Sequence, residues 1–114
     1  MRYLFLLWGD EAAELALSGD ERRAIVEAHG AFTRRVRDEG RAVSGEPLGP
    51  AAEAVVVRGR GRAASATDGP FLETKEQLGG FYLIDCRDRD DAIALAHEIP
   101  ASPGLTVEIR AIPD

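Results

Sequence analysis

The chain has little of the chemistry that most readily betrays function: one cysteine, Cys86, and two histidines, His29 and His97, in 114 residues. A single cysteine excludes an internal disulfide and a cysteine-cluster metal site and fits a reducing compartment, so the cytoplasm is the expected location. Excess positive charge is missing too. Lys and Arg number 14 against 20 Asp and Glu, a formal net charge of -6. Nucleic acid and anionic membrane both require a basic footprint, and neither is expected as a partner. No apolar run approaches the roughly 20 residues of a membrane span. The run at residues 3–8 is too short for a leader and is closed by Gly9, Asp10 and Glu11 with no cleavage-like site. Repeats, low-complexity tracts and linkers are absent, so residues 1–114 read as one domain with one core.

What is present is an ordinary globular balance, 45% hydrophobic and 30% charged, with clear periodicities. Residues 3–8 are apolar on both alternating faces, Tyr3, Phe5 and Leu7 against Leu4, Leu6 and Trp8, as in a strand buried on both sides. Residues 10–17 suit a short helical turn. Ser18, with Glu21 three residues on, forms a capping box for a helix running to about Glu39 and stopped by Gly40. The helix stripe is Ile25, His29, Phe32 and Val36, which leaves Arg22, Arg23, Arg34 and Arg37 facing water. Residues 41–46 predict a strand ended by Pro47, and residues 53–58 and 62–67 a hairpin across Gly59, Arg60 and Gly61. A polar connector at 67–81 then leads to a two-faced strand at 81–86. Asp88 or Asp90 caps a second helix with Ala92, Leu95, Ala96 and Ile99 inward, ended by Pro100. Residues 105–112 alternate, with Leu105, Val107 and Ile109 inward. This order is the split βαβ, or ferredoxin-like, α+β arrangement with an added hairpin, its first and third core strands central and its last at an edge. Both helices then cover one face of the sheet. The other face is apolar and uncovered, which predicts a homodimer packed through it.

The candidate chemistry is sparse. His29 falls on the apolar stripe of its helix, either as a buried histidine bonded to main chain or as a proton carrier. Asp68 opens an Asp-Gly-Pro corner and reads either as turn chemistry or as the carboxylate that fixes the His29 tautomer. Glu73, Lys75 and Glu76 follow closely, either as a solvated charge run or, with Lys75 as cation, as a site for an anionic group. Gly45 and Glu46 end a strand and read on their own as a strand terminus with a turn, or else as a place where a ligand can approach the backbone. His97 near a helix end reads as structural or solvent-exposed, and Cys86 on a core strand as an inert buried thiol. The Gly59-Arg60-Gly61-Arg62 stretch has no following helix to receive phosphate and is too short for an RNA-binding tract. No His, Asp or Glu spacing suggests a metal, and no cofactor is expected.

Four stretches together carry a resemblance: Gly9-Asp10-Glu11 after the opening strand, Ala28-His29-Gly30-Ala31-Phe32, Gly45-Glu46-Pro47-Leu48, and the run from Asp68-Gly69-Pro70-Phe71 through Glu73-Thr74-Lys75-Glu76 to Gly79-Gly80-Phe81-Tyr82. Nearly the whole chain resembles the YCII-related family, in its DGPF branch, with Leu72 where the branch commonly has Ala and Ser44 where it often has Gly. The resemblance implies a ferredoxin-like fold assembled as a dimeric α/β barrel and a His-Asp pair in a cleft, at His29 and Asp68. It names no substrate: members are mostly uncharacterised, one relative is a dehydrochlorinase of chlorinated hydroxyquinols, and branch members are often encoded beside extracytoplasmic-function sigma factors.

The expectation is a small homodimeric protein in which His29, oriented by Asp68, moves a proton on a small polar or aromatic molecule, in lyase, isomerase or hydrolase chemistry. Gly45, Glu46, Lys75 and Glu76 are the expected substrate contacts. The alternative is a non-catalytic ligand-binding or regulatory module linked to transcription.

Overall fold

The computed structural model describes residues 1–114, the side chain of Ala63 excepted. The fold is mixed α+β, with four strands in one antiparallel sheet, a separate two-stranded hairpin and three α-helices. Strand β1 (Arg2–Asp10) is followed by helices α1 (Glu11–Leu15) and α2 (Gly19–Asp38), then strand β2 (Val43–Pro47). The hairpin strands are β3 (Val55–Arg58) and β4 (Ser65–Asp68). Strand β5 (Glu76–Asp85), helix α3 (Arg89–Ala96) and strand β6 (Thr106–Ala111) complete the chain.

The order across the main sheet is β2-β5-β1-β6, so the two strands apolar on both faces are central and the alternating last strand lies at an edge. One face carries the core: Tyr3 and Phe5 of β1 and Tyr82 and Ile84 of β5 are buried against Phe32 and Val36 of α2 and Ala92 and Leu95 of α3. The local signals act as expected at the helix ends. Ser18 Oγ accepts from the Glu21 amide at 3.1 Å while the Glu21 carboxylate accepts from the Ser18 amide at 3.0 Å. Gly40 takes φ 83, a left-handed conformation that glycine adopts freely, just past the end of α2. Asp10 and Asp88 cap α1 and α3.

The boundaries differ from expectation in places. Pro47 lies inside β2, which is tolerable because β2 is an edge strand and its missing N–H leaves no sheet partner unsatisfied. α3 ends at Ala96, with His97 as its C-cap, short of Pro100. The hairpin strands are shorter than expected, and 3₁₀ turns at Ala51–Glu53 and Gly61–Ala63 precede each of them. The largest difference concerns the polar stretch at 67–81. Its second half is strand, with Glu76, Gln77 and Leu78 pairing with Asp10, Gly9 and Trp8. The cause is β1, whose last residues need a ladder partner; a register shift at Leu7/Trp8 absorbs the extra glycine. Only residues 69–75 connect the hairpin to β5.

Two surfaces have no second layer within the chain. On the sheet face away from the helices, Leu4, Leu6, Trp8, Phe81 and Leu83 are half-buried. They sit side by side, Leu4 opposite Leu83 and Leu6 opposite Phe81. The hairpin also stands clear of the body, leaving Val55 and Val57 exposed. The molecule is accordingly thin, 47 × 41 × 18 Å, with a radius of gyration of 16.0 Å, against about 13 Å for a compact chain of this length.

Candidate functional site

The central feature is a cavity of about 730 Å³ between α2, the ends of β1, β2 and β5, and the turn after β2. That is the size range of small-molecule sites. Its wall is mostly apolar, with Leu7, Ile25, Leu48, Pro50 and Leu78 among the lining residues. His29, Tyr82, Gly45 and Glu46 also line it.

The i, i+4, i+7, i+11 stripe turns α2 onto the sheet and carries the His29 imidazole down with it. Directly below, on the inward face of β5, is Tyr82. His29 Nδ1 and the Tyr82 hydroxyl are hydrogen-bonded at 2.7 Å. The two rings stack with centroids 5.8 Å apart, and Tyr82 tilts against Phe32 at 5.2 Å. Gly45 makes room for this arrangement. It lies opposite Tyr82 in the β2–β5 ladder, and a Cβ there would come within 2.7 Å of the Tyr82 ring and closer still to the Phe81 carbonyl. No other residue type fits without moving the phenol.

Electrostatics hold both groups neutral near pH 7. Burial lowers the His29 pKa below its ordinary 6.5, because the imidazolium would lose water. Burial raises the Tyr82 pKa, because the phenolate would lose water. The direction of the bond follows the imidazole tautomer: either the phenol donates to Nδ1 and Nε2–H faces the cavity, or Nδ1–H donates to the phenol oxygen and Nε2 faces the cavity as a base. Among the described residues Nε2 has no partner in the chain.

The expected residues divide among three places. His29, Gly45 and Glu46 line the main cavity; Glu46, opposite Phe81 on the edge strand, is exposed at its rim. Lys75 and Glu76 line a second, open groove of about 640 Å³ with Trp8 and Glu108. Lys75 Nζ stands 3.2 Å from Asp10 Oδ2, and Trp8 Nε1 donates to Glu108 at 3.1 Å. Asp68 is exposed at the root of the hairpin, paired with Val55, and borders neither space among the described residues. Within one chain, then, the partner of His29 is Tyr82, and Asp68 is not brought to it. Sequence reasoning placed Tyr82 only on a strand apolar on both faces. The available signal was a phenol on a buried strand face, which needs a hydrogen-bond partner just as an inward histidine does.

Other titratable groups serve the frame. Asp91 is buried and accepts from Arg41 Nη1 and Nη2 at 2.8 and 2.9 Å and from the Arg87 amide at 2.9 Å. These bonds, Arg41 foremost, hold its pKa far below the ordinary carboxylate value. Burial pushes the Cys86 thiol up, away from reactivity. Among the described residues no group of three or more His, Cys, Asp or Glu is placed to hold a metal ion, and no helix is long and apolar enough to cross a membrane.

Comparison with known proteins covers the chain nearly from end to end. The YCII-related domain model matches residues 1–113. An uncharacterised protein of Rhizobium meliloti (strain 1021) is 35% identical over 114 residues, covering 98% of this chain and 92% of the relative. The extent of both matches makes the chain a member of the YCII-related domain family.

Proposed function

We propose that the cavity under α2 binds a small, largely apolar molecule and that His29, positioned by Tyr82, exchanges a proton with it. The single observation that supports this is the 2.7 Å bond between His29 and Tyr82 on the wall of a 730 Å³ cavity. A lone neutral imidazole with one nitrogen fixed and the other open suits lyase, isomerase or hydrolase steps in which a proton moves to or from the substrate. The Tyr82 phenol, buried and neutral, fixes the tautomer and lends hydrogen-bond capacity without adding charge.

The assembled form in this proposal is a homodimer, a ferredoxin-like fold paired into a dimeric α/β barrel through the sheet face away from the helices. Support comes from the strand order and from the half-buried Leu4, Leu6, Trp8, Phe81 and Leu83 that face has no layer to cover. The Asp68-Gly69-Pro70-Phe71 sequence favours the DGPF branch, and the buried free thiol of Cys86 suits the cytoplasm.

The test begins with a thermal-shift screen of small phenols, enols and carboxylic acids against the wild-type protein, followed by turnover assays on each hit. His29→Gln keeps polarity and removes the titrating base, and turnover is expected to fall by about 10²-fold or more. Wild-type turnover in His29→Gln would remove the proton-transfer role, and affinity without any turnover would point instead to a binding module. Asp68→Asn discriminates further. A loss as large as that of Tyr82→Phe would show that the aspartate reaches His29 in the assembled protein.

A further inference from the structure

Helix α2 carries five arginines, and three are occupied. Arg23 pairs with Asp20 at 2.6 Å and Arg35 with Glu98 at 3.6 Å. Arg22 donates to the carbonyl oxygens of Leu15 and Leu17 at 3.1 and 3.3 Å, closing the end of α1. Arg34 and Arg37 take part in no ion pair or side-chain hydrogen bond among the described residues, and both line the cavity beside His29. Arg34 Nη1 lies 3.3 Å from the point a Cβ on Gly30 would occupy. Its guanidinium therefore folds back along the helix over the residue next to His29.

These two cations were expected to face water, and they remain exposed, but both line the mostly apolar cavity. Arg37, in the last turn of α2, also complements the carbonyl end of the helix. Arg34, one turn earlier, has no such use. The acids that line the cavity lie elsewhere. Glu11 and Glu14 belong to the α1 end, near Arg22, and Glu11 already accepts from the Ala51 amide at 3.1 Å. Arg34 is twelve residues beyond Arg22, about 18 Å along the helix at 1.5 Å per residue. Burial, together with the neighbouring Glu11 and Asp10, raises the Glu14 pKa. Glu46 is exposed on the edge strand.

We propose that the cavity is built for a small apolar carboxylate. The apolar body lies between α2 and the Pro47–Leu48 turn, and the anionic group lies across Arg34 and Arg37 with His29 as neighbouring donor. This rests on the cavity being the binding site, as proposed above, and adds the class of molecule it takes. Guanidinium pairs are well suited to a planar carboxylate, and a neutral amide of the same shape cannot use them equally.

The experiment titrates 2-naphthoate and 2-naphthamide, a charged and a neutral probe of one shape, by calorimetry against the wild-type chain. The variants are Arg34→Gln, Arg37→Gln, their double variant, Arg23→Gln and His29→Gln. Naphthoate is expected to bind about tenfold tighter than naphthamide, with the preference shrinking as salt rises. The double variant brings the two probes within about twofold of each other, and Arg23→Gln leaves the preference unchanged. Equal binding of both probes in the wild type, with loss of both in His29→Gln, overturns the carboxylate inference but preserves the cavity as the site. A preference for naphthoate that survives the double variant overturns the assignment to Arg34 and Arg37. Failure of both probes to bind at millimolar concentration overturns the inference and the binding site together.

Discussion

A buried imidazole and a buried phenol each need a partner, and on the cavity wall each supplies the other. The direction of their hydrogen bond can be measured. If the Tyr82 hydroxyl donates to Nδ1, the bond favours the neutral ring, and removing it in Tyr82→Phe raises the His29 pKa toward 6.5 from its depressed value. A fall in that pKa, read from the ring carbon-proton signals by NMR titration, would mean that Nδ1–H donates to the phenol oxygen and that Nε2 is the free base. Because burial lowers the folded pKa, the neutral His29 favours folding above pH 6.5 and disfavours it as pH falls below that value. At this scale the sequence was half legible. The stripe through Ile25, His29, Phe32 and Val36 announced an inward histidine, whereas Gly45 was read for a ligand's approach to the backbone and is crowded instead by the Tyr82 ring. The bond itself joins residues 53 positions apart, a separation that no periodicity encodes.

Secondary-structure elements are held at their ends by local chemistry and to each other by remote contacts. The capping box at Ser18 and Glu21, the glycine stop at Gly40 and the Asp88 cap all stand within a few residues of what they cap, and the sequence displayed them. The Arg41–Asp91 pair, which ties the end of the α2–β2 connection to the start of α3, spans 50 positions and was not visible. Asp91→Asn is expected to cost about 3 kcal/mol in urea denaturation at pH 7, because it removes one member of a largely buried, hydrogen-bonded pair. The pH dependence has a definite sign. The folded-state pKa of Asp91 lies below the ordinary 3.8, so its contribution is complete above that value and fades as pH falls through the folded pKa. The gap between wild type and Asp91→Asn therefore narrows below pH 3.8. A gap that stayed constant into strong acid would mean that the pair does not stabilise the fold through its charge. The strand extension at Glu76–Gly80 was also hidden. Glycine-rich polar sequence has weak strand preference by itself, and the unpaired end of β1 draws it into the ladder.

The chain as a whole is one sheet thick with helices on one side, and that geometry leaves a face with no cover. Leu6 sits near its centre, opposite Phe81 on one side and Glu108 on the other. In the proposed dimer, Leu6→Asp buries a charge at the interface and weakens association by about 2 kcal/mol or more, roughly thirtyfold in Kd. The fold is retained, because the helix-covered core on the other face is untouched. Sedimentation velocity checks both halves: a wild-type protein that stays monomeric at micromolar concentration would remove the dimer proposal, and a dimeric Leu6→Asp would place the contact elsewhere.

Composition and local pattern were enough to determine the α+β class, the central and edge strands and the inward stripe of α2, while the family came from the resemblance of whole stretches of sequence to it. Each of these depends on residues near one another in the chain or on the alternation of apolar side chains. Only the tertiary structure decided that His29 meets Tyr82, that Asp68 stands apart from it within one chain, and that Arg34 and Arg37 border a cavity. Side-chain meetings across the sheet depend on register and helix placement, and rotating α2 by one residue, about 100°, would have produced a different site from the same chain.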